Sequence, residues 1–154
     1  MRIELLLLAS FGAGSVLITF GGVLGKTSPF QMLTITVVEL ILYAVNENIC
    51  YFLGVADIGG SMVIHCFGAF FGIAVTKVLH PKGVHQLAKA EPNYMSDITS
   101  FIGTIFLFMY WPSFNGALAL SGSPRQTRAF INTVLSISGS CVAAFIVSVL
   151  FRTK

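Results

Sequence analysis

Six acidic residues, nine basic residues and three histidines stand in a chain of 154 residues that is 55% hydrophobic and 10% charged. The informative ones lie inside apolar runs. The stretch from Asp57 to Gly72 reads DIGGSMVIHCFGAFFG, which sets a carboxylate and the imidazole of His65 among small and apolar residues. An imidazole inside a long apolar segment is costly when charged and needs a hydrogen-bond partner when neutral. Two roles fit it: a pathway or proton-relay residue, or a neutral ring that donates to a neighbouring backbone carbonyl. Helical spacing would put Asp57, Ser61 and His65 on one face, with Gly68 and Gly72 beyond them as a close contact for a second helix.

Other ionisable residues follow the same logic. Glu39 falls in the middle of an apolar run, where a carboxylate must be neutral or bonded to a partner. Glu47, beside Asn46 and Asn48, suits either a vestibule that concentrates cations or a simple interfacial charge. Asp97 precedes another apolar run and reads first as a helix N-cap. His80 and His85 lie in a polar segment without metal-ligand spacing and are expected to be solvated. Cys50, Cys66 and Cys141 form no C-x-x-C pair and read as buried free thiols. Neither a metal site nor a cofactor is expected. No nucleophile and base share a site, so an enzyme is the weakest reading.

These residues must be positioned by helices that cross a bilayer. A mean hydropathy of +0.86 exceeds what a soluble domain of this length could bury, and the charges gather between the apolar runs. The net charge of +3 is therefore a poor sign of nucleic-acid binding. Five runs, Leu5 to Leu24, Phe30 to Leu53, Ile58 to Leu79, Ile98 to Leu120 and Ala129 to Phe151, each match the roughly 20 residues that span a hydrocarbon core. The expected fold class is an all-α membrane protein, a polytopic transmembrane helix bundle, with residues 1–154 forming one partial domain. The first run could pass for a signal peptide, but Glu4 interrupts its charged start and no small-x-small site follows, so a retained helix is expected. With the first helix starting outside, six of the nine basic residues fall on the cytoplasmic side, which favours that orientation. Aromatic residues concentrate in FMYWPSFNGA, Phe108 to Ala117, where Tyr110 and Trp111 suit a membrane interface and Pro112 can kink the helix and re-aim Phe114.

Two strings in order, DIGGSMVIHCFGAFFG and SDITSFIGTIFLFMYWPSFNGAL, together with FGGVLGKTSPFQ and YAVNEN, resemble the ammonium transporter and Rhesus glycoprotein family, in particular its animal Rhesus branch. The resemblance covers essentially the whole chain. It implies a trimer of eleven- or twelve-helix bundles in a plasma membrane, each with a narrow apolar pore that ammonium enters by giving up a proton, so that ammonia crosses. Carbon dioxide passage is also proposed for Rhesus members. By motif position His65 corresponds to the first of two facing pore histidines, and Asp57 to the acid that supports the outer ammonium site. Phe114 and Phe11 correspond to the two gate phenylalanines, and Glu47 and Asp97 to acids of the outer and inner vestibules.

The resemblance also implies a fragment. The five runs stand for helices three to seven of an eleven-helix core, the second pore histidine belongs to a later helix, and Glu39 occupies a position where an uncharged residue is expected. A chain of this extent would be either part of a conducting transporter, not conducting alone, or a non-conducting membrane subunit packed with other Rhesus-type chains, as a homo- or hetero-trimer.

Overall fold

The structure, a computed structural model, describes residues 3–79 and 93–150. His80 and His85 lie outside the described residues. Among the described residues five α-helices form: α1 Ile3–Val23, α2 Pro29–Phe52, α3 Phe67–Val78, α4 Tyr94–Ala117 and α5 Pro124–Leu150, with a π-helical turn over Ser61–Cys66 running directly into α3. No strand occurs among the described residues. Contacts divide the chain between Pro92 and Asn93 into two compact units.

Local sequence sets the helix ends. α2 begins with a capping box: Ser28 Oγ accepts from the Gln31 N–H at 3.3 Å, and the Gln31 side chain accepts from the Ser28 N–H at 2.8 Å. Pro29 follows at the first helical position, where its missing N–H costs nothing. α2 is capped by Leu53, and Gly54 just past the cap takes a φ of 69°, which glycine adopts without strain. α4 has a second capping box, in which Asn93 and Ser96 exchange bonds at 2.9 and 3.2 Å. The N-cap of α4 is therefore Asn93 and not Asp97, which lies in the first turn. Asn93 wins because its amide oxygen reaches the Ser96 N–H while Ser96 Oγ returns the bond.

In the first unit α1 and α3 run parallel and α2 runs antiparallel to both. The register shows this: Gly68 faces Ser15, Gly72 faces Thr19 and Thr76 bonds Gly22, whereas Gly12 faces Tyr43 and Thr19 bonds Glu39. A Cβ on Gly68 would lie 2.8 Å from the Ser15 carbonyl oxygen, and one on Gly72 would lie 3.2 Å from Thr19 Cα. The pair Gly68 and Gly72 thus brings α1 and α3 backbone to backbone, as small residues do where lipid leaves packing to drive association. Not every glycine in the runs is used so: a Cβ on Gly21 or Gly139 would meet nothing within 4 Å.

The second unit is an antiparallel pair. Phe130 of α5 fills the space left by Gly116 of α4, and Asn115 Nδ2 donates to Thr133 Oγ1 at 2.9 Å. Gln126 braces the connection, donating to the Gly116 carbonyl at 3.1 Å and accepting from the Gly122 N–H at 2.9 Å.

Among the described residues four helical segments, Leu5–Val23, Pro29–Phe52, Ser61–Val78 and Pro124–Val147, are long and apolar enough to cross a membrane. α4 stands where the fourth of the five expected spans falls. It has 24 residues, but Tyr110 to Asn115 bring tyrosine, tryptophan, proline, serine and asparagine into its second half, residues that lower hydropathy and suit an interface. The cysteines also differ from expectation. All three are free thiols, but Cys66 and Cys141 are exposed and Cys50 is half-buried, because α3 and α5 turn large apolar faces away from their own units.

Candidate functional site

The histidine segment is built from a break in the helix and not from a continuous helical face. Residues 57–60 form a turn in which Gly60 takes φ 72°, ψ 23°, and the π-helical turn starts only at Ser61. Asp57 is outside the helix. Its carboxylate accepts three backbone N–H groups, from Ser61 at 2.8 Å, Met62 at 2.8 Å and Val63 at 2.9 Å. The expected face of Asp57, Ser61 and His65 is therefore corrected. The carboxylate satisfies the free donors at the helix start, and the wider π turn, closed by the His65 N–H on the Gly60 carbonyl at 3.0 Å, replaces α-helical spacing.

The Gly60 carbonyl collects three contacts: the Ile64 N–H at 2.9 Å, the His65 N–H at 3.0 Å and His65 Nδ1 at 3.0 Å. A carbonyl only accepts, so Nδ1 carries the hydrogen in this contact, and in the neutral ring Nε2 is then the acceptor nitrogen. His65 is half-buried. The turn is further held by α2, where Asn46 Nδ2 donates to the Val63 carbonyl at 3.3 Å. Packing beneath is apolar: Ile64 is 4% exposed, and a Cβ on Gly14 of α1 would lie 3.7 Å from the Ile64 side chain.

The other candidate residues of the first unit lie on α1 and α2. Glu47 lies half-buried near the end of α2 and accepts from Tyr43 Oη at 3.5 Å. Tyr43 is buried and meets Phe67 edge to face at 6.0 Å, and Phe67 stacks on Phe71 at 5.9 Å. Phe11 is half-buried on α1, one turn before Gly14. Asp57, Glu47 and His65 thus gather where α2 ends and the π turn begins.

Phe114 and Asp97 belong to the second unit. Phe114 is 36% exposed and stacks on Trp111 with ring centroids 4.7 Å apart and planes inclined by 9°. Pro112 lies between them inside α4. Asp97 is exposed in the first turn of α4, where a negative charge complements the helix dipole.

Glu39 has the most constrained surroundings. It is fully buried, and its Oε1 lies 2.9 Å from Ser15 Oγ and 2.8 Å from Thr19 Oγ1, both on α1. Thr19 Oγ1 also lies 3.0 Å from the Gly68 carbonyl of α3. Sequence reasoning placed Glu39 in the bundle but missed Ser15, Thr19, Tyr43, Asn46 and Gly60. Only Gly59-Gly60 after Asp57 carried a local signal, that of a turn breaking the apolar run. Among the described residues no three histidine, cysteine, aspartate or glutamate side chains converge as a metal site.

Comparison with known proteins agrees with this arrangement of helices and motifs. The sequence model of the Ammonium Transporter Family matches residues 1–154. The chain is 49% identical over 139 residues to "Ammonium transporter Rh type B" of Danio rerio, covering 89% of this chain and 30% of that protein. It is 44% identical over 155 residues to "Ammonium transporter Rh type A" of Rattus norvegicus, covering 99% of this chain and 34% of that protein. With "Ammonium transporter Rh type C" of Canis lupus familiaris the identity is 49% over 142 residues, 91% of this chain and 30% of that protein. The chain therefore spans about a third of the length of the curated relatives it matches. An all-helical chain with four segments able to cross a bilayer, matched from its first residue to its last, belongs to the Ammonium Transporter Family and is an integral membrane protein.

Proposed function

We propose that this chain supplies part of the wall of a transmembrane conduit for ammonium and ammonia, with His65 on the path. The observation that carries the reading is the fixed ring of His65. Its Nδ1 is committed to the Gly60 carbonyl at 3.0 Å, which makes Nε2 the acceptor in the neutral ring, inside a segment apolar and long enough to span the bilayer. An acceptor nitrogen suits ammonia, whose three N–H groups need partners once it leaves water.

Physical cost selects the permeant form. Moving an ion into an apolar passage costs several kcal/mol more than moving the neutral molecule, so ammonium leaves its proton in the outer vestibule and ammonia goes on. By their motif positions Glu47 takes the role of an acid that concentrates cations at an outer vestibule, and Phe11 and Phe114 each take that of a gate aromatic able to hold a cation by cation-π attraction. Asp57 supports the site indirectly, by fixing the backbone from which His65 projects. Asp97 serves an inner vestibule in the same way as Glu47 serves the outer one.

In this reading the protein works in the plasma membrane as a trimer of Rhesus-type chains. Membrane lipid and neighbouring helices cover the exposed apolar side chains, and carbon dioxide is a second permeant. The test is stopped-flow alkalinisation of vesicles containing the assembled transporter of which this chain forms part, after exposure to an ammonium gradient. Faster alkalinisation than in protein-free vesicles supports the reading; equal rates with correctly folded protein overturn it. Repeating the measurement with a carbon dioxide gradient decides the second permeant.

A further inference from the structure

We propose that Glu39 is a carboxylic acid whose own hydrogen completes a directed chain of hydrogen bonds, Ser15 to Glu39 to Thr19 to the Gly68 carbonyl, joining α1, α2 and α3. Three oxygen–oxygen contacts lie within bonding distance: Ser15 Oγ to Glu39 Oε1 at 2.9 Å, Glu39 Oε1 to Thr19 Oγ1 at 2.8 Å, and Thr19 Oγ1 to the Gly68 carbonyl at 3.0 Å. The two hydroxyls bring two hydrogens. A carbonyl has none to give, so Thr19 donates to Gly68 only if Glu39 donates to Thr19. An ionised Glu39 would leave one of the three contacts without a hydrogen.

The surroundings point the same way. Glu39, Ser15 and Thr19 are all 0% exposed. Both partners of the carboxyl group are neutral hydroxyls, and its second oxygen, Oε2, is buried with no hydrogen-bond partner. A charged carboxylate needs a cation or several donors to remain buried, whereas a neutral acid with its carbonyl-type oxygen unbonded forfeits a single hydrogen bond. The other titratable group nearby on α2, Tyr43, is bonded to Glu47. From α3 the chain is faced by the Gly68 backbone, and from α1 by the two hydroxyls.

The chain closes on Gly68, three residues beyond His65, at the point where α1 and α3 touch backbone to backbone. Glu39 thereby ties the helix that carries His65 to both of its neighbours. This inference stands on geometry alone and does not depend on what the protein transports.

The experiment is the infrared difference spectrum at neutral pH between the wild-type protein in lipid and Glu39→Gln, which has nearly the same shape. The predicted result is loss of the C=O stretch of a neutral carboxylic acid, a band that shifts when water is exchanged for heavy water. Loss of carboxylate bands alone would overturn the proposal. Thr19→Val gives a reading that does not need the glutamine variant to fold: it keeps the acid but removes its acceptor, so the same C=O band must shift. An unshifted band in folded Thr19→Val protein would overturn it equally.

Discussion

The imidazole of His65 gives its Nδ1 hydrogen to the carbonyl of Gly60, five residues earlier, at 3.0 Å. That contact joins the side chain to the point where the helix begins. The orientation of the ring then depends on a glycine in a left-handed conformation and on the carboxylate that anchors the same turn.

Gly60→Ala is accordingly expected to be severe. A φ of 72° costs a non-glycine residue about 1–2 kcal/mol, and an added Cβ would collide with the Ile64 side chain. The variant should lower the midpoint of thermal unfolding in detergent, whereas Gly54→Ala, with a φ of 69° and nothing within 4 Å, should show the smaller effect of backbone strain alone. Equal shifts in the two would remove the argument from packing.

At Asp57 the charge matters less than the acceptor atoms. Asp57→Ala leaves three backbone N–H groups without their partner and should destabilise by about 1–3 kcal/mol. Asp57→Asn keeps one acceptor oxygen and should recover part of that loss. A comparison of the two variants in chemical unfolding checks this; no difference between them would mean that the capping bonds contribute little.

Much of this was legible from the sequence, and the failures have particular causes. Long apolar runs gave the helices, and Gly68 and Gly72 were readable as a close contact because a four-residue spacing of small residues leaves a groove at any depth. The partner helix was not readable, since Ser15 and Thr19 look like ordinary small residues until α1 is set beside α3. The Asp57, Ser61, His65 face failed because strict α-helical spacing was assumed across Gly59 and Gly60, and a π turn intervenes.

The glycine contacts allow a paired test. Gly68→Ala would place a methyl group 2.8 Å from the Ser15 carbonyl oxygen and 3.1 Å from Ile18 Cβ, forcing α1 and α3 apart. Gly103→Ala and Gly139→Ala meet nothing within 4 Å and should be neutral or stabilising by up to ~1 kcal/mol, since alanine favours helix over glycine. Unfolding midpoints of the three variants give the comparison.

Trp111→Ala removes the ring stacked on Phe114 at 4.7 Å. The loss in stability should be modest, about 0.5–1.5 kcal/mol for the ring pair plus the lost packing. Trp111→Phe should retain most of the stacking. If Phe114 guards the mouth, the alanine variant will change ammonium-driven uptake more than it changes the unfolding midpoint, and the phenylalanine variant will change neither greatly.

Whether ammonia passes His65 is decided by the ammonia permeability of vesicles containing the assembled transporter with the wild-type or the His65→Ala chain at equal protein density. The account predicts that the substitution lowers permeability markedly while the folded protein is retained. Unchanged permeability in a folded His65→Ala protein would contradict it.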